Sequence, residues 1–257
     1  MFRLILYISF HFTYPPICKD LHIVGKTYFI LTIIEALAKT DAELYVLDPK
    51  RADLSDLETV MPNVYYTKED MLTCVDRFCE EMLQRSVEMK EMPGYKTGEN
   101  YAYLGLPAKF LIFDEYVAFM EMLGRENVEV MSKLKQIVML GRQAGFFLIL
   151  ACQRPDAKYL GDGIRDQFGF RVTLGSMKEL GYSMMFGDTD KQFLDKDIKG
   201  RGYVDTGIGV ISEFYAPLVP KGHEFLESIR RAGEGRFVDK EEPISKEEEL
   251  IYINNTN

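Results

Sequence analysis

At 257 residues, with 47% hydrophobic and 28% charged side chains, the sequence has enough apolar material for one large globular domain and argues against a disordered or fibrous chain. The formal net charge of −9 argues against a protein that coats nucleic acid with a broadly basic surface, so any such contact has to be local. Cys18, Cys74, Cys79 and Cys152 are scattered without a C-x-x-C pair, and there are three histidines in all, a pattern that suggests neither a zinc site nor a disulfide framework.

From the start of the chain, the apolar run Leu4 to Phe12 is far short of the roughly 20 residues that span a bilayer and reads as a strand or a signal-like fragment. Pro15-Pro16 and the lack of a small-residue cleavage pattern speak against export. Short apolar runs then alternate with amphipathic stretches, the pattern of a buried parallel sheet with covering helices. Strands are expected at Leu21 to Val24, Leu44 to Asp48, Phe110 to Asp114, Phe146 to Cys152 and Phe170 to Leu174. Thr27 to Lys39 places Ile30, Ile33, Ile34 and Leu37 on one helical face. Met71 to Lys90 does so with Val75, Phe78, Met82 and Leu83, and Val128 to Arg142 with Met131, Leu134, Ile137 and Val138.

The stretch Met92 to Pro107, with its glycines, prolines and tyrosines, reads as a long excursion. Arg201 to Asp205 and Val210 to Tyr215 flank Thr206-Gly207-Ile208-Gly209 as a hairpin. Beyond Gly233 the chain turns into a charged, solvated tail.

Three features fall at the C-terminal ends of expected strands, where α/β sheets hold their ligands. Gly25-Lys26-Thr27 opens a helix, as the end of a phosphate loop G-x-x-x-x-G-K-[ST] does; there backbone N–H groups wrap phosphates, the lysine reaches β and γ oxygens, and the hydroxyl binds magnesium. Asp20 stands where the first glycine of that loop belongs, so the cradle falls about five residues short and the plain alternative is an ordinary helix start. Phe110 to Phe113 end in Asp114 and Glu115, a pair that could hold magnesium and serve a water as general base, or could be merely solvated acids. Gln153 follows the strand Phe146 to Cys152, where its amide could meet a γ-phosphate or an attacking water; alone it would be a loop amide.

With these in place, the chain resembles the FtsK/SpoIIIE family of DNA translocases, and more closely the coupling-type members of conjugative transposons. The likeness rests on Asp48-Pro49-Lys50, Glu81 to Arg85, the Asp114-Glu115 strand, Arg142-Gln143-Ala144-Gly145, Leu148 through Pro155, Gly163 to Val172 and Gly200 to Tyr203, and covers about residues 21 to 231. It leaves 1–20 as an unmatched segment and 232–257 as a charged tail. The resemblance implies a RecA-like P-loop NTPase fold, α/β, with a mainly parallel sheet, helices on both faces and a C-terminal hairpin. It further implies a homo-oligomeric ring, usually a hexamer, with ATP at subunit boundaries and DNA through the centre. By residue, Gly25, Lys26 and Thr27 would bind ATP, Thr27 and Asp114 Mg2+, Glu115 the water, and Gln153 would be the sensor, while Arg142 or Arg171 would reach a neighbour's nucleotide. Partners would be DNA and a relaxase or other conjugation machinery, and the place cytoplasmic, at the inner membrane face where other segments anchor it. The short loop favours impaired turnover, with a non-hydrolysing scaffold as the alternative.

Overall fold

The computed structural model describes residues 6–10, 25–153, 165, 167–196 and 198–234. Its strands are β1 (Leu6–Phe10), β2 (Glu43–Leu47), β3 (Val64–Tyr65), β4 (Lys109–Phe113), β5 (Phe146–Cys152), β6 (Phe170–Leu174), β7 (Arg201–Asp205) and β8 (Ile211–Tyr215). They form one sheet in the order β3-β2-β4-β5-β1-β6-β7-β8. Pairing is parallel from β3 through β6, and β7 and β8 add an antiparallel hairpin at one edge. The helices are α1 (Lys26–Ala38), α2 (Lys68–Glu88), α3 (Tyr116–Leu123), α4 (Asn127–Ala144), α5 (Glu179–Phe186) and α6 (Phe225–Ala232).

Side chains alternate across the pleat, so β2, β4 and β5 each feed two cores. Leu111, Phe113, Leu148 and Leu150 point to the face covered by α2, α3 and α4, while Phe110, Ile112, Phe147 and Ile149 point to the face covered by α1 and α6. All of β5 is buried, as an uninterrupted apolar run requires. The helical faces follow the expected stripes with small rotations. Ile30 and Ile34 of α1, Val75, Phe78 and Met82 of α2, and Leu134, Ile137 and Val138 of α4 are buried, whereas Leu83 is 41% exposed.

Gly145 ends α4 in a left-handed conformation at φ +83°, and the ring of Tyr101 lies against its bare Cα. The Met92 to Pro107 excursion thereby packs back on the sheet, through a 3₁₀ turn at Tyr101–Leu104.

Two of the expected elements concern the start of the chain. Within the apolar run Leu4 to Phe12, Leu6–Phe10 form the strand β1, which occupies the centre of the parallel sheet between β5 and β6. Leu6–Phe10 of the segment 1–20 therefore contribute to the fold. The strand expected at Leu21 to Val24 lies outside the described residues, as does the tail from residue 235 onward.

Helices α3, α5 and α6 have no counterpart among the expected elements. Each has eight residues, α3 is apolar almost all round, and α5 carries Gly181, so none presents a long 3.6-residue period.

Candidate functional site

The C-terminal ends of β2, β4 and β5 bring together residues that stand out in the sequence. Lys26 is the first residue of α1, and Gly25, in an extended conformation, precedes it with no side-chain cap and no acid in the first turn. The Lys26 ammonium is 2.8 Å from Asp114 Oδ1 and 2.8 Å from Glu115 Oε2. The backbone N–H of Gln153 donates to Glu115 Oε1 at 3.0 Å. Thr27 is half-buried beside Lys26 in the same turn.

Burial by itself would push Lys26 down and Glu115 up, but mutual attraction outweighs it. The lysine is held above its ordinary value by Asp114 and Glu115, and Glu115 is held below the usual carboxylate range by Lys26, the Gln153 N–H and Lys50. Both are thus ionised at neutral pH.

Asp114 Oδ1 is buried without a hydrogen-bond partner, although Lys26 Nζ is 2.8 Å away. A carboxylate oxygen has more than one lone pair, so the contact with Lys26 leaves this one with acceptor capacity to spare. A cation coordinated there would satisfy it, which fits a magnesium ion held by one carboxylate and by phosphate oxygens. Among the described residues no group of three or more His, Cys, Asp or Glu side chains forms a dedicated metal cage.

The backbone around the site is unusual. Glu115 caps α3 from a left-handed conformation, φ 62° and ψ 58°, which a side-chain-bearing residue adopts at a cost. That turn swings the carboxylate back over the ends of β4 and β5.

At the end of β2, Asp48 is fully buried, and its carboxylate accepts the backbone N–H groups of Lys50, Ala52 and Ser55. Burial first, and then the charge of Asp114, push its carboxyl above the usual range despite those bonds. The loop so fixed carries Lys50 to 3.4 Å from Glu115 Oε2. Sequence reasoning gives neither Asp48 nor Lys50 a role in the site; the available signal is Asp48-Pro49-Lys50 directly after a strand.

Other expectations meet a different geometry. The Gln153 side chain is exposed on the rim, and its backbone makes the contact to Glu115. Arg142 is exposed on the last turn of α4, just before β5 begins, so seven residues of β5, roughly 23 Å at 3.3 Å each, separate it from the acidic pair in the same chain. Arg171 pairs with Asp205 across β6 and β7. A cavity of about 620 Å³ lies elsewhere, beyond β6, lined by Met177, Tyr182, Lys191 and Phe193 among others. The charged groups converge at the strand ends of β4 and β5, and that is where the candidate site lies.

A parallel sheet with helices on both faces, a lysine opening α1 and an acidic pair at the end of β4 define a RecA-like P-loop NTPase fold. Solved structures agree on the fold. The pCW3 conjugation coupling protein TcpA, in its monomer form with ATPγS, superposes with a TM-score of 0.65 at 19% identity, over 82% of this chain and 59% of that one. EssC ATPases 2 and 3 from Geobacillus thermodenitrificans give 0.60 at 16% identity, over 90% and 43%. The cytoplasmic domain of the type VII secretion ATPase EccC of Thermomonospora curvata gives 0.59 at 20% identity, over 89% and 28%.

The chain belongs to the FtsK-domain family, being 57% identical over 210 residues to the FtsK domain-containing protein YdcQ of Bacillus subtilis strain 168. That alignment takes in 81% of this chain and 44% of the relative, so the chain spans less than half of that protein's length. No family model matches the chain. Among the described residues no helix is long and apolar enough to cross a membrane.

Proposed function

We propose that this chain is the motor domain of an ATP-dependent DNA translocase of the coupling type, acting in conjugative DNA transfer. The observation that carries the reading is the convergence of Lys26, Asp114, Glu115 and the Gln153 backbone at one rim of the parallel sheet. Lys26 and Thr27, with Gly25, would bind the phosphates of ATP; Thr27 and Asp114 would hold Mg2+; Glu115 would take the proton of the attacking water. Bound magnesium would neutralise charge developing between the β and γ phosphates. The Gln153 side chain, exposed on the rim, would turn toward a γ-phosphate. Arg142 stands on the opposite rim, so any contact it makes with nucleotide would be in a neighbouring subunit of a ring, proposed to be hexameric.

For DNA, phosphate contacts by ring-lining cations would give sequence-independent grip. The stretch Lys191 to Arg201 offers less of this than its composition suggests. Lys196 pairs with Glu213, and Arg201 is buried against Glu213 and Tyr203. A relaxase or other conjugation machinery is the proposed protein partner, and the inner face of the membrane the proposed place of action.

A second reading, a fold-retaining scaffold without turnover, is favoured by one feature: no glycine stands between Pro16 and Gly25, and Asp20 occupies the first glycine position of the phosphate loop. Measuring magnesium–ATP binding and DNA-stimulated hydrolysis, first on the chain as it stands and then with a glycine-rich insertion between Val24 and Gly25, separates the two. The impaired motor predicts little turnover before the insertion and recovery after it. Hydrolysis at a full rate without the insertion would remove the impairment, and no nucleotide binding in either form would remove the motor.

A further inference from the structure

We infer that Lys50 is a positioning residue for Glu115, a second cationic hold that keeps this carboxylate aimed when Lys26 turns to a nucleotide phosphate. The inference rests on the nucleotide-site reading above and concerns how that site survives its own loading. In the structure Lys26 serves two carboxylates at once, Asp114 and Glu115. A phosphate must compete for the same ammonium, since the reach of Lys26 toward anions is what a phosphate loop uses.

When Lys26 leaves, Glu115 Oε1 keeps the Gln153 N–H, but Oε2, on a side chain only 5% exposed, loses its closer cation. Among the described residues the other cation within ion-pair reach of Oε2 is Lys50, at 3.4 Å. Among the described residues the remaining charged groups at this corner are Asp114, just after β4, and Asp48 at the end of β2, and both repel Glu115.

The loop that carries Lys50 is built to hold its place. Asp48, with no exposed surface, ties down the N–H groups of Lys50, Ala52 and Ser55. Arg51, next to Lys50, sits at φ +48° with its guanidinium 4.4 Å from the ring centre of Tyr66. A buried carboxylate and a left-handed residue are expensive ways to shape a surface turn. What the turn delivers is a lysine, 44% exposed, that enters the site from solvent while Lys26 enters from α1. Glu115 is itself in a left-handed conformation and needs such a hold, because an unheld side chain gives the backbone reason to relax.

The Gln153 amide reports directly on where the Glu115 carboxylate is, so its hydrogen exchange, followed by NMR in the full chain, tests the inference without requiring turnover. Lys50→Met should speed exchange of that amide by roughly threefold to tenfold, more so in a Lys26→Met background that mimics Lys26 drawn away, and Lys50→Arg should restore most of the protection. The Ala52 and Ser55 amides, bonded to Asp48, should stay protected, showing an intact loop. With magnesium–ATP, in the chain completed by the glycine-rich insertion, Lys50→Met should lower kcat about tenfold or more with little change in nucleotide affinity.

Unchanged Gln153 exchange in both backgrounds overturns the inference. So does a Lys50→Met effect that appears only in nucleotide affinity, which would make Lys50 a phosphate ligand, or one in which the Ala52 and Ser55 amides open together with Gln153. If the wild-type chain binds no magnesium–ATP, the nucleotide reading fails, while the exchange result still judges the hold of Lys50 on Glu115.

Discussion

Glu115 concentrates the chemistry of this molecule in one side chain: it caps a helix from a strained backbone, is buried, and is shared between Lys26, Lys50 and the Gln153 amide. If it is the general base, Glu115→Gln should keep magnesium–ATP binding and lose turnover by roughly 10² to 10⁴, measured as kcat for phosphate release by the loop-completed chain. Binding and turnover falling together would instead assign it to phosphate or metal binding. A different residue tests the sheet. At Gly202 an added Cβ would fall inside the carbonyl of Thr173 on the neighbouring strand, so Gly202→Ala forces β6 and β7 apart. It should cost about 2 to 4 kcal/mol in denaturant unfolding, beyond the scale of an ordinary surface substitution. A loss under about 0.5 kcal/mol would show that the hairpin yields easily.

Among the elements, α6 is docked on α1, the helix that starts at Lys26. Tyr28 meets Phe225 edge to face, and Glu35 accepts from Ser228 Oγ at 2.8 Å, lies 3.0 Å from Lys39 Nζ and 2.9 Å from His223 Nε2. Burial alone would raise the Glu35 carboxyl, but the bonds from Lys39, Ser228 and His223 prevail and hold it below the usual range. A carboxyl depressed in the folded state stabilises the fold above its unfolded value, and that stabilisation is lost as pH falls through the lower, folded value. Glu35→Gln should therefore cost about 1 kcal/mol at neutral pH and flatten the fall in stability below the ordinary carboxylate range. The check is urea unfolding from neutral pH into that acid range; parallel wild-type and variant curves throughout would show that the contact adds nothing.

For the whole molecule, a ligand that binds only the folded state raises its stability by mass action, by about 2.7 kcal/mol at a hundred times the Kd. Magnesium–ATP should accordingly raise Tm in the loop-completed chain and not in its Lys26→Met variant, as read by calorimetry. An equal shift in both would place the nucleotide away from Lys26.

The sequence by itself determined the strands β2, β4, β5, β6, β7 and β8 and the amphipathic helices α1, α2 and α4. A buried parallel strand must be apolar throughout and a covering helix must repeat its apolar face, so these elements were written in local periodicity. Phe146–Cys152, Phe170–Leu174 and Arg201–Asp205 were legible to the residue. Only the tertiary structure decided that β1, in a stretch with no family likeness, fills the centre of the sheet, and that Asp48 and Lys50 join the acidic pair. Strand order and the meeting of residues far apart in sequence depend on long-range pairing, which no local window of residues contains. The same reason separates Arg142 from the cluster: its neighbour in sequence, β5, carries the chain to the opposite rim before the site begins.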